Sequence, residues 1–67
     1  MKIQYDKEAD GVYIQFSSKR PEGAIETKEG FIVHTTSDNE IVGIEILDAS
    51  KKFPIRNLRT LEFTVLN

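Results

Sequence analysis

The chain has 67 residues, no cysteine, one histidine and a formal net charge of −2, with a pI of about 5.3. These numbers exclude disulfides, thiolate metal sites and histidine-rich metal sites, and an acidic domain without a basic stripe is not expected to bind nucleic acid. A chain this short reads as one domain over residues 1–67, and cores of this size rarely supply more than ~3–5 kcal/mol without disulfides, metal or oligomerisation, so oligomerisation is the device left.

Period-two alternation runs almost throughout. Ile3 and Tyr5 alternate with Lys2 and Gln4 in a first short strand. Residues 6–11 are polar and end in Asp10-Gly11, a strong turn signal. Val12, Ile14 and Phe16 then alternate with Tyr13 and Gln15, so the first two strands form an antiparallel hairpin. Residues 17–23, with Pro21 and Gly23, read as a surface loop. Residues 24–27 give a short third strand. Lys28-Glu29-Gly30 turns the chain, with Gly30 in the left-handed position, into a β-branched fourth strand over residues 31–35.

After a tight turn at residues 36–39, residues 40–47 make the longest strand. Val42, Ile44 and Ile46 fall on one face, and Ile41, Gly43, Glu45 and Leu47 on the other. Residues 48–53 offer one helical turn with Asp48 as its N-cap, stopped by Pro54. Leu61, Phe63 and Val65 alternate with Glu62, Thr64 and Leu66, a last strand.

The expected fold class is mainly β: a single twisted antiparallel sheet, a meander of about five to six short strands, with at most one short helix after Asp48. Its apolar face collects Ile3, Tyr5, Val12, Ile14, Phe16, Val42, Ile44, Ile46, Leu61, Phe63 and Val65. One short helix cannot cover that face, and exposing it leaves a larger apolar patch than monomers usually tolerate. A homodimer or higher homo-oligomer, packed face to face about 10 Å apart, is therefore expected.

Candidate chemistry is sparse. Asp6, Glu8 and Asp10 alternate before Gly11, as in the first half of a calcium loop, but the twelfth position is Ser17 and residues 12–16 read as strand, so a polar hairpin loop is favoured. His34 lies near a strand end and reads as a surface or satisfied residue; a catalytic base needs a nucleophile and an orienting carboxylate, and serines and aspartates are too common in any chain for their presence to signal one. Glu45 sits mid-strand between apolar neighbours. If covered it needs Lys52, Arg56 or Arg59 as a partner; if solvent-facing it discourages wrong sheet pairing. No glycine-rich phosphate cradle follows a strand, and no nucleophile elbow is present. No catalytic residue, metal site or cofactor is expected. The candidates for ligand or partner binding are Asp6, Asp10, Glu45 and Asp48.

Tyr5-Asp6-x-Glu8-Ala9-Asp10-x-Val12-Tyr13-Ile14, followed by residues 41–50 (Ile-Val-Gly-Ile-Glu-Ile-Leu-Asp-Ala-Ser), resembles domain-of-unknown-function family 2283 of small bacterial and archaeal proteins. The resemblance covers residues 1 to about 52. Its motif falls on Tyr5, Asp6, Glu8, Asp10, Glu45 and Asp48. This chain departs from it at His34, where the family usually carries aspartate, and at Asn39, where it carries glycine. The resemblance implies no established activity; similar proteins encoded beside small toxin-like proteins imply an antitoxin or binding-partner role.

Charge is divided unevenly. Residues 1–50 carry ten acids and five bases, and residues 51–67 four bases and one acid. The favoured reading of this asymmetry is an ordinary solvated surface; the sharper one is that the basic end meets an acidic partner or another copy's acidic face. The expectation is a non-enzymatic protein-interaction module, an antitoxin-like partner of a small toxin; the alternative is a small-ligand or cation-binding domain. Any enzymatic cleft in so short a chain would have to form between copies. With no apolar run near the roughly 20 residues of a membrane span, and no signal-peptide core in residues 1–6, a cytoplasmic location without membrane binding is expected.

Overall fold

The computed structural model describes residues 1–56 and 62–66. Five strands appear in chain order: β1 (Lys2–Asp6), β2 (Gly11–Gln15), β3 (Gly23–Glu26), β4 (Phe31–Thr35) and β5 (Ile41–Ile46). One helical turn, α1 (Ala49–Lys52), follows them. The strands form one sheet in the order β1-β2-β5-β4-β3, antiparallel at every junction. A plain meander would set β3 beside β2. Here the link after β2, which contains Pro21, carries the chain past that slot. β5, whose residues are apolar on both faces, takes the central position between β2 and β4.

Each tight connection has a local cause. Between β1 and β2 the Asp6 carboxylate accepts from the amides of Glu8 (3.0 Å) and Ala9 (3.3 Å), an Asx turn. The left-handed residue there is Asp10 (φ 49°), not the glycine that follows it. Between β3 and β4 Gly30 adopts φ 88°, as its place in the loop predicts. Between β4 and β5 the Thr36 hydroxyl accepts from the Asp38 and Glu40 amides, and Asn39 is left-handed at φ 66°. Asparagine is the side chain that best tolerates that region after glycine.

Register places a continuous apolar row across all five strands: Ile3, Ile14, Ile44, Val33 and Ile25. A second row runs Tyr5, Val12, Ile46 and Phe31. The opposite face carries Gln4, Tyr13, Glu45, Ile32 and Glu26 in one row, and Lys2, Gln15, Gly43, His34 and Ala24 in the next. The apolar face therefore includes Phe31, Val33 and Ile25 as well as the residues expected from β1, β2 and β5.

Helix α1 covers one end of this face. Ala49 is fully buried, and the Lys52 ammonium lies 5.8 Å from the Phe31 ring centroid. Among the described residues only Val12, Val42 and Ala49 are buried apolar side chains, while the rest of the long row is half-buried and its end, Ile25, is 63% exposed.

The expected last strand is not formed. Leu61 lies outside the described residues, and residues 62–66 carry no strand, with Phe63, Val65 and Leu66 76–88% exposed. Alternation alone does not make a strand; it needs an edge to bond to. Among the described residues no helix is long and apolar enough to cross a membrane.

Candidate functional site

Two polar clusters flank the β1–β2 hairpin, and they lie on different surfaces. The first is centred on Asp10. Its left-handed backbone turns the carboxylate toward the chain entering α1. The Tyr5 hydroxyl donates to Asp10 Oδ1 at 2.8 Å, the Ser50 amide donates to the same oxygen at 3.1 Å, and the Ser50 hydroxyl donates to Oδ2 at 2.7 Å. The Asp10 carbonyl also accepts from the Ala49 amide at 2.9 Å. One residue thus ties β1, the hairpin turn and the start of α1.

The hydrogen bond from the Ser50 hydroxyl, and then that from Tyr5, hold the Asp10 carboxyl below the usual carboxylate value. The same bond to Asp10 pushes the Tyr5 phenol up.

This arrangement corrects the expectation for Asp48. It precedes α1, but with φ 52° and ψ 45° it is left-handed and its side chain makes no capping bond. A side-chain cap requires an extended N-cap backbone to reach back to the first turn. Asp10 supplies that capping from 40 residues away, and sequence reading missed it, because proximity between the hairpin turn and the helix start is set by the sheet order.

The second cluster lies on the polar face. Tyr13 on β2 extends across Gly43 on β5, where a Cβ would meet the Ile14 carbonyl oxygen at 2.8 Å and the Tyr13 hydroxyl closer still. The Tyr13 and His34 rings meet edge to face, with centroids 5.7 Å apart. His34 Nε2 lies 3.3 Å from Glu45 Oε1, both side chains half-buried. Among the described residues the partner of Glu45 is therefore His34 rather than Lys52 or Arg56. Lys52 instead donates to the Leu47 carbonyl, and Arg59 lies outside the described residues. Among the described residues this pair is a polar contact between β4 and β5 with the Tyr13 ring at its edge. Tyr13 over Gly43, and His34 beside Glu45, are cross-strand neighbours that stabilise the sheet directly.

A solvent-open depression of about 660 Å³ adjoins this face, with Gln4, Asp6, Glu8, Tyr13 and Glu45 among its lining. The four candidate residues thus separate. Asp6 and Glu45 share the depression, Asp10 is bound into the α1 junction, and Asp48 is exposed at the helix start. Among the described residues no group of three or more histidine or acidic side chains is placed to hold a metal ion.

Residues 2–50 match the family described as "Protein of unknown function (DUF2283)", and the chain belongs to that family. The chain is also 34% identical over 64 residues to the Methanosarcina mazei protein named "Putative hypoxanthine phosphoribosyltransferase". That match covers 92% of this chain and 51% of the relative, so the chain spans about half the relative's length. No solved structure matches the chain.

Proposed function

We propose that this member of the family is a non-enzymatic protein-interaction module that covers its apolar sheet face with a second copy and binds a small basic, toxin-like protein through its acidic surface. The observation that carries the reading is the row Ile3, Ile14, Ile44, Val33 and Ile25, which crosses the whole sheet with no residue fully buried. Such a row is stable when a second layer packs on it. The partner's charge follows from the excess of five acids in residues 1–50.

Light scattering of the full chain at micromolar concentration is expected to give at least twice the 7.6 kDa subunit mass. A stable mass of one subunit overturns the assembly. Binding of a small basic protein is expected to weaken steeply with added salt; salt-independent binding counts against charge recognition.

The depression, whose lining includes Asp6, Lys7, Tyr13 and Glu45, supports the small-ligand side of a second reading, a small-ligand or cation-binding domain; among the described residues its acids are not grouped to hold a bare metal ion. A rise in melting temperature with millimolar calcium or with small metabolites favours it, and a flat response across them removes it.

The activity named for the Methanosarcina protein finds no support in this chain's own residues. Phosphate groups are held by glycine-rich backbone cradles or by the N-termini of helices. Here the Ala49 amide of the one-turn α1 already donates to the Asp10 carbonyl and the Ser50 amide to the Asp10 carboxylate, which repels phosphate.

A further inference from the structure

We infer that residues 62–66 of one copy add as a sixth strand to the open edge of β3 in a second copy; this rests on the self-assembly proposed above and specifies how the copies are joined. Three observations converge on it.

The first is an unmet pairing demand on both sides. Residues 62–66 keep period-two alternation yet form no strand, and Phe63 and Val65 stand 76% and 77% exposed. Among the described residues β3 is an edge strand, paired only to β4, with every residue exposed. Ile25 ends the long apolar row there, and an alternating strand laid beside it would set Phe63 or Val65 as the row's next member. A five-residue segment matches the four residues of β3 with little overhang.

The second is charge. The arm leading to the tail carries Lys51, Lys52, Arg56 and Arg59 with no acid among residues 51–59. The β3 edge and its flanks, residues 20–29, carry Glu22, Glu26 and Glu29 against Arg20 and Lys28, a small acidic excess, whereas the other open edge, at β1, balances Asp6 and Glu8 with Lys2 and Lys7. Complementarity selects β3 over β1, and lysines on an edge oppose strand addition.

The third is area. Five strands at ~4.8 Å spacing and about 17 Å length present roughly 400 Å² in projection. A stable dimer usually buries about 800 Å² per partner. Exchanging two tails, each carrying Phe63 and Val65, adds apolar surface from the described segment that is most exposed.

Because the chain lacks cysteine, the contact can be trapped cleanly. Ile25 and Phe63 are both exposed, so I25C and F63C leave the buried side chains untouched. An isotopically labelled I25C chain is mixed with an unlabelled F63C or V65C chain, oxidised, and analysed by mass spectrometry. A disulfide joining the two species is expected, since directly paired residues in adjacent strands lie within disulfide reach. In a parallel measurement one of T64P and V65P, the one that removes a ladder donor, is expected to raise the dimer dissociation constant at least tenfold while leaving the far-ultraviolet circular dichroism of the sheet unchanged.

If the full chain is monomeric, the assembly itself fails and the strand exchange with it. If the chain is dimeric but neither link forms between copies, or the I25C/F63C double variant closes only within one chain, the exchange is overturned and face-to-face packing stands alone. Unchanged dimerisation of both T64P and V65P, whose amides point to opposite sides of the strand, likewise overturns it.

Discussion

At the scale of single residues, Asp10 and Gly43 are the two positions at which one atom's placement decides the local structure. Asp10's carboxyl is held below its ordinary value by Ser50 and Tyr5, so its ionised form favours the folded state. That contribution is complete above the ordinary carboxylate value, about pH 4, and is lost as pH falls through the lower folded value. The Tyr5 phenol is shifted upward, so its contribution is complete below about pH 10 and is lost as pH rises beyond it. Thermal unfolding followed from pH 2 to 7 is expected to show a falling acid limb for the natural chain. Asp10→Asn should start from a lower melting temperature at pH 7 and show a flatter limb; an acid limb of the same depth in both would mean that other carboxylates produce it. Gly43→Ala is expected to cost about 1–3 kcal/mol, because its Cβ would press on the Ile14 backbone as well as on Tyr13. Gly11→Ala, whose Cβ would come no closer than 3.7 Å to the nearest atom, serves as the near-neutral control. Denaturant melts of the pair check this, and equal losses would refute the contact argument. The sequence made Gly11 look the more demanding glycine, since it completes an Asp-Gly turn signal. The left-handed residue proved to be Asp10, and the need at Gly43 comes from a tyrosine 30 positions away. Of the four candidate binding residues, Asp10 and Glu45 acquired partners, Ser50 and His34, that no local spacing announces.

At the scale of elements, a four-residue helix has no independent stability. α1 persists because Asp10 receives its first amides and Lys52 reaches back to the Leu47 carbonyl and over Phe31. The strands themselves were legible from alternation: β4 appears at its expected bounds and the others within one residue at each end. Their order was not, because alternation fixes which residues share a face but not which strand lies beside which. The tail shows the same limit, since its pattern is that of a strand while its partner edge is not supplied within the described residues of its own chain. Sheet order now separates two isoleucines that look equivalent in sequence. Ile44 is central, flanked by Ile14 and Val33, whereas Ile25 stands at the edge and is mostly exposed. Ile44→Ala is expected to lower unfolding free energy by about 2 kcal/mol or more, near the low end for core isoleucine because the site is half-buried. Ile25→Ala should change it by less than about 0.5 kcal/mol at dilutions where any dimer has dissociated. Urea denaturation at submicromolar concentration measures both, and a large loss for Ile25→Ala under those conditions would show that β3 is covered by its own chain.

For the whole molecule, the decisive quantity is how stability depends on concentration. A chain whose described residues bury only three apolar side chains fully has little margin as a lone subunit, because a net stability of a few kcal/mol is the difference between much larger opposing terms. If a second copy supplies the missing layer, association and folding are linked, and each tenfold rise in concentration stabilises the dimer by about 1.4 kcal/mol. Two 67-residue chains unfolding together change entropy by roughly 280 cal/mol/K at ~2.1 cal/mol/K per residue, so the melting temperature should rise by about 5 °C per tenfold concentration. Calorimetry from 1 to 100 µM covers two such steps. A monomer predicts no change over the same range, so the two outcomes are well separated. The basic arm and the acidic β3 edge add a further expectation. Because those charges are exposed, added salt should screen them and lower the melting temperature of the dimer while leaving the dilute subunit nearly unaffected. A concentration-dependent melt that ignores salt would place the contact on the apolar face alone, and a melt that ignores both would leave this sheet a single layer that stands without a partner.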